Sequence, residues 1–158
     1  MPNTMTAPTN ALFNQASYIN GSWIGTGDGT FDTVLDKYHG TELARMPNAT
    51  EAQMEEAIAS AYASREVLRK MSAGERSEKL EALAALIEKN KAALAQLIVQ
   101  EGGKPIGYAE GEIARCIYTV KTAAAEALRS TGESVPMDVG AGVGKTAFTT
   151  RFPSGVIA

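Results

Sequence analysis

Apolar positions along this chain follow two rhythms. Between residues 50 and 130 they recur every three or four residues, the spacing of one helical face. Met54, Ala57, Ile58 and Ala61 form a first stripe, Leu80, Leu83, Ala84 and Ile87 a second, and Leu94, Leu97 and Ile98 a third. The fourth stripe is the longest: Ile113, Cys116/Ile117, Val120, Ala124 and Ala127/Leu128. Start signals precede them. Thr50 with Gln53 and Ser72 with Glu75 have the spacing of capping boxes, Asn90 is placed to cap the third helix, and Pro105 opens the fourth. Gly102-Gly103 and Gly132 are the expected stops. A helix from Ile106 to Arg129 would be about 36 Å long at 1.5 Å per residue. A self-contained domain of this chain length is only about 40 Å across. The expectation is therefore a scaffold larger than the chain.

Outside that window the pattern is one of short apolar pieces. Residues 17–19 and 22–24 flank Asn20-Gly21, a dipeptide that tolerates positive φ and predicts a two-residue hairpin. Gly25 to Gly29 reads as a loop, 30–35 as a strand, His39-Gly40 as a turn, and 42–46 as a short strand ended by Pro47. Near the far end, residues 135–139 and 146–152 are predicted to pair as a hairpin. The last run, FPSGVIA (152–158), stops inside apolar sequence without a cap or turn, which again leads us to expect a fragment.

Composition agrees with strands, then helices, then strands. All four Phe and the single Trp lie outside residues 50–130, whereas most of the alanines lie inside. At 158 residues the chain is long enough for one domain that buries about 70% of its unfolded surface. A net charge of −3 counts against nucleic-acid binding, which needs clustered Lys and Arg. One Cys and one His leave no disulfide framework, thiolate zinc site or His-rich metal site. No apolar run approaches the length of a membrane span. The polar start has no secretory pattern, so the cytoplasm is the expected compartment and the sequons at Asn20 and Asn48 are read as accidental.

Candidate chemistry is sparse. The run GAGVGKT (140–146) invites a phosphate-loop reading, but Val139 stands where the first glycine belongs, and residues 146–152 alternate like a strand rather than opening a helix. No GxGxxG occurs, since neither Gly25/Gly27 nor Gly140/Gly142 has a third glycine in place. Cys116 sits mid-helix on an apolar stripe and is expected to be buried and inert. His39 lies in a turn with no spacing that pairs it to Cys116. Glu101 reads as a solvated carboxylate at a helix end, and Glu55-Glu56 and Glu75-Arg76 as exposed helix faces. No catalytic, cofactor-binding or metal-binding residue is assigned to this chain.

The order of the pieces resembles one family, the aldehyde dehydrogenases that use NAD or NADP. YINGSW (18–23) is similar to the family's opening strand with its I-N-G-x-W pattern, and PNATE (47–51) leading into AIASA (57–61) resembles its first helix. Arg76 with Leu80 and Leu83 is similar to the second helix. EGGKP (101–105), with Glu110 or Glu112 beyond it, resembles the E-x-G-K-P turn into the long helix, and TTRFPSGVI (149–157) the R-x-P-x-G-V strand toward the cofactor domain.

The resemblance implies an α/β fold, here the N-terminal fragment of the aldehyde dehydrogenase fold: short strands, four helices, then a hairpin of an oligomerisation arm. The polar, unpatterned start is expected to be a mobile tail over 1–16; the resemblance implies strands and helices at 17–132 packed on the nucleotide-binding domain, the arm hairpin at 133–152, and at 153–158 the start of the strand into the cofactor-binding domain. It also implies a parent enzyme that oxidises an aldehyde to a carboxylic acid through a Cys thiohemiacetal, with NAD or NADP as cofactor and a homo-dimer or homo-tetramer as the assembly. The family's catalytic Cys, Glu and Asn would fall beyond residue 158, and the isolated chain would be inactive. Two other readings stay open. One is a non-enzymatic interaction or oligomerisation module, the other a fragment of a related acyl-phosphate or acyl-CoA reductase.

Overall fold

A computed structural model describes residues 16–25 and 28–157. The expected N-terminal tail therefore lies outside the described residues except for Ala16, as do Thr26, Gly27 and Ala158. The elements run β1 (Ser17–Ile19), β2 (Ser22–Ile24), β3 (Phe31–Leu35), β4 (Glu42–Pro47), α1 (Glu51–Lys70), α2 (Ala73–Lys89), α3 (Lys91–Gly102), α4 (Ile106–Arg129), β5 (Ser134–Val135) and β6 (Ala147–Phe148). The strands form three separate antiparallel pairs, β1–β2, β3–β4 and β5–β6.

Local sequence explains most of these elements. Asn20 at φ +48° and Gly21 at +79° supply the two positive φ angles of a tight hairpin turn. Across it Tyr18 faces Trp23, with ring centroids 4.9 Å apart. Both predicted capping boxes close. Gln53 N donates to Thr50 Oγ1 at 3.1 Å and Thr50 N to Gln53 Oε1 at 2.9 Å, while Glu75 N donates to Ser72 Oγ at 3.2 Å and Ser72 N to Glu75 Oε2 at 2.7 Å.

The helical core lies where α4 crosses α2 and α3. Ala95, Ala109 and Ile113 form a buried cluster there, and Ala84 of α2 and Ala124 of α4 are buried as well. Ile87, Leu94, Ile98, Val99 and Ile117 pack around the centre. Alanine at the contact points lets the helix backbones approach closely, so the core is made of small side chains in close register. In contrast, α1 buries none of its 20 residues.

Four expectations need correction. Asn90 does not cap α3 with its side chain: its Nδ2 turns back and donates to Leu86 O at 2.8 Å, closing α2 instead. The fourth helix does end at Arg129, but its cap residue is Ser130 rather than Gly132. Gly132 serves another purpose, because a Cβ there would meet Thr149 O at 1.5 Å. The predicted long hairpin shrinks to two residue pairs, Ser134↔Phe148 and Val135↔Ala147, because a 3-10 turn at Gly140–Gly142 takes up the intervening chain. Cys116 is exposed. It lies about 60° around the helix from Ile113, at the margin of the buried stripe.

Burial is also lower than length alone predicts. The chain exposes 12150 Å², against about 7,600 Å² for a compact monomer of its mass. Large apolar side chains stay outside, among them Met54, Ile58, Tyr62, Val139, Phe148 and Phe152.

Candidate functional site

The turn at residues 36–40 gathers the most polar contacts. Asp36 is 8% exposed. Its Oδ1 accepts from Tyr38 N at 3.0 Å and His39 N at 2.8 Å, and His39 Nδ1 lies 3.0 Å away. The backbone N–H of His39, then that of Tyr38 and the ring, holds the Asp36 carboxyl below its ordinary value, against the opposing effect of burial. Lys37 N then donates to Gln100 O at 2.9 Å, fastening the turn to the end of α3. His39 stands in its turn as expected, and Asp36 is its partner there. The signal for Asp36 was an Asp three residues before His-Gly, where a carboxylate can accept the next two free N–H groups.

Next along the chain is the turn EGGKP (101–105). Gly103 at φ +69° ends α3, and its N–H donates to Val99 O at 2.9 Å. Lys104 forms an ion pair with Glu112 across the first turns of α4. That hydrogen bond lowers the Glu112 carboxyl. Glu101 is exposed, as expected of a solvated carboxylate.

Open clefts lie along α4. One, about 550 Å³, has an apolar floor of Ile113, Ala114 and Ile117 and a rim that includes Lys91, Glu110 and the Glu88–Lys121 pair at 3.4 Å. Another, about 420 Å³, includes Cys116, Arg115, Thr119 and Ile98. No described residue hydrogen-bonds the Cys116 thiol, and His39 is occupied by Asp36. A thiol with neither base nor orienting group is not an assembled nucleophile.

The glycine-rich run does not form a phosphate cradle. Gly142 N donates to Val139 O at 3.0 Å, Val143 N to Gly140 O at 3.4 Å, and Lys145 N to Gly142 O at 2.9 Å. These donors are spent inside the loop, and the next element is β6 rather than a helix. The run therefore lacks the loop-to-helix arrangement that places N–H groups around a phosphate. Among the described residues no three His, Cys, Asp or Glu side chains gather to hold a metal ion. No helix among them is long and apolar enough to cross a membrane.

Comparison with known proteins places these features. The sequence model of the aldehyde dehydrogenase family matches residues 23–158. The chain is 32% identical over 148 residues to the 3-sulfolactaldehyde dehydrogenase of Pseudomonas putida, covering 94% of this chain and 30% of that protein. Among solved structures it is similar to aldehyde dehydrogenase 21 from Physcomitrella patens in complex with the reaction product succinate, with a TM-score of 0.68 and 36% identity over 73% of this chain and 24% of that one. It is also similar to the NADP-dependent glyceraldehyde-3-phosphate dehydrogenase of Bacillus halodurans C-125 complexed with NADP, with a TM-score of 0.74 and 29% identity over 80% of this chain and 26% of that one. The chain spans 30% of the length of the curated relative it matches and about a quarter of each solved structure.

Proposed function

The chain belongs to the aldehyde dehydrogenase family, and from that premise we propose that it is the N-terminal segment of an enzyme oxidising an aldehyde to a carboxylic acid. NAD or NADP takes the hydride, and the carbon passes through a thiohemiacetal on a Cys outside this chain. The observation that carries the reading is the match over 23–158 by a chain spanning 30% of its curated relative.

The segment's role on this reading is architectural. Residues 17–132 pack beside the nucleotide-binding domain, 133–152 join an oligomerisation arm of a homo-dimer or homo-tetramer, and 153–158 lead into the cofactor domain. The exposed apolar side chains of α1 and of the β5–β6 region support both contacts. The cytoplasm is the compartment. Three relatives are named for a sulfonate-, carboxylate- or phosphate-bearing substrate or product. We take the substrate to be an aldehyde with an anionic group at its far end.

A chimera tests the reading. This chain joined to the remaining length of the P. putida 3-sulfolactaldehyde dehydrogenase should form NADH or NADPH when given aldehyde, and the 158 residues alone should not. A soluble chimera without turnover, or turnover by the chain alone, overturns the proposal.

A further inference from the structure

Asn20 is the one non-glycine residue with positive φ among the described residues. It also links two elements: the Ser60 hydroxyl of α1 donates to Asn20 Oδ1 at 3.2 Å. That link matters because α1 has no buried residue of its own, and β1 is its main neighbour. The residue after Asn20 is Gly21, which carries no side chain. Nothing lies within 4 Å of where a Cβ on Gly21 would sit.

We propose that Asn20-Gly21 is a site of spontaneous covalent modification, gated by opening of the β1–β2 hairpin. In the closed turn both residues are held at positive φ, a narrow geometry. Ring closure needs the Gly21 nitrogen swung onto Asn20 Cγ. A two-stranded hairpin is only marginally stable by itself, so the turn samples open states. In those states the Gly21 nitrogen bonds to Asn20 Cγ, the Cγ–Nδ2 bond breaks, and the amide proton leaves with the nitrogen as ammonia. The product is a succinimide, with no change of oxidation state. Water then adds across either imide carbonyl and leaves aspartate or isoaspartate. Both carry a new negative charge beside α1. The isoaspartate also routes the main chain through the side-chain carbon, lengthening the turn by one bond. That disturbs the Tyr18↔Trp23 register and pulls the residue away from Ser60.

The test is a time course of the 158-residue chain in mildly alkaline buffer, read by peptide mass spectrometry, beside a free peptide of residues 17–24. The expected result is a one-dalton gain at Asn20, about tenfold slower than in the peptide, a factor set by a hairpin that opens easily. Trp23→Ala removes the ring pair with Tyr18 and should speed conversion about two- to tenfold. Tyr18→Leu is the second variant should the first fail to fold, and should act in the same direction. Asn20→Gln should not convert. Hydrogen exchange in α1 should be faster in converted than in unconverted protein. The proposal is overturned by absence of conversion, by a rate equal to that of the free peptide, by hairpin variants that leave the rate unchanged, or by α1 exchange indifferent to conversion.

Discussion

Lys37 N donates to Gln100 O at 2.9 Å, and this single backbone bond ties the β3–β4 hairpin to the C-terminal end of α3. The same two segments meet at Gly103. A Cβ on that glycine would lie 3.2 Å from Lys37 Cβ, and its φ of +69° already disfavours any other residue. Gly103→Ala should therefore destabilise the chain by about 1–2 kcal/mol from the left-handed backbone alone. Chemical denaturation of the variant against the parent checks it. Gly102→Ala is the control, since its nearest neighbour is a flexible Lys104 carbon at 3.9 Å.

Asp36 gives the hairpin its pH dependence. Its folded carboxyl titrates below 3.8, chiefly because His39 N–H bonds to the ionised form. A lowered folded value means that the stabilisation is complete above the ordinary Asp range and is lost as pH falls through the folded value. Asp36→Asn keeps an acceptor oxygen but no charge. The parent should be more stable than the variant at neutral pH, and the two should converge as pH drops below 3.8. Denaturation midpoints across that window provide the measurement. Glu75 and Glu112 are lowered too, so the difference between the two proteins is what isolates Asp36.

The two capping boxes should behave differently when broken. Thr50→Ala and Ser72→Ala each remove a side chain that accepts from the third helical N–H, a loss of about 1 kcal/mol. Because α2 contributes Ser77 and Ala84 to the interior, Ser72→Ala should lower global stability. In α1, which buries nothing, Thr50→Ala should instead fray the helix locally. Hydrogen exchange should rise in residues 51–54 while the unfolding midpoint stays nearly unchanged.

What the sequence foretold and what it did not divide along physical lines. The turn at Asn20-Gly21, both capping boxes and the bounds of α4 depend on neighbours a few residues away, and all were legible. Asn90 was a harder case. Its side chain could serve the helix before it or the helix after it, and only the geometry of the α2–α3 joint decides. Cys116 was placed on the buried stripe by spacing, but the width of that stripe depends on how closely α3 approaches. Gly132 looked like a helix stop, whereas its role is set by Thr149, seventeen residues on. The candidate site was legible mainly as missing groups: the lack of a dinucleotide fingerprint was plain, but the Asp36 clasp appeared only once the turn was closed.

Gly132 offers the sharpest test of the β5–β6 hairpin. Thr149 N donates to Glu133 O, and Glu133 N donates to Thr149 Oγ1, both at 2.9 Å, just beside the point where a Gly132 Cβ would run into Thr149 O. With a separation of 1.5 Å, Gly132→Ala cannot be absorbed by a small shift; the two backbones must part. The β5–β6 ladder is two residue pairs long, so it has no reserve of hydrogen bonds with which to re-form in another register. The buried helical residues lie elsewhere, on α2, α3 and α4. Gly132→Ala should therefore leave the helical circular dichroism intact while protease cleavage within residues 133–152 speeds up. In the chimera with the P. putida enzyme, the same change should lower oligomer size by gel filtration if, as proposed, this hairpin joins subunits. An unchanged cleavage rate would mean that the close approach at Gly132 does not hold the hairpin together.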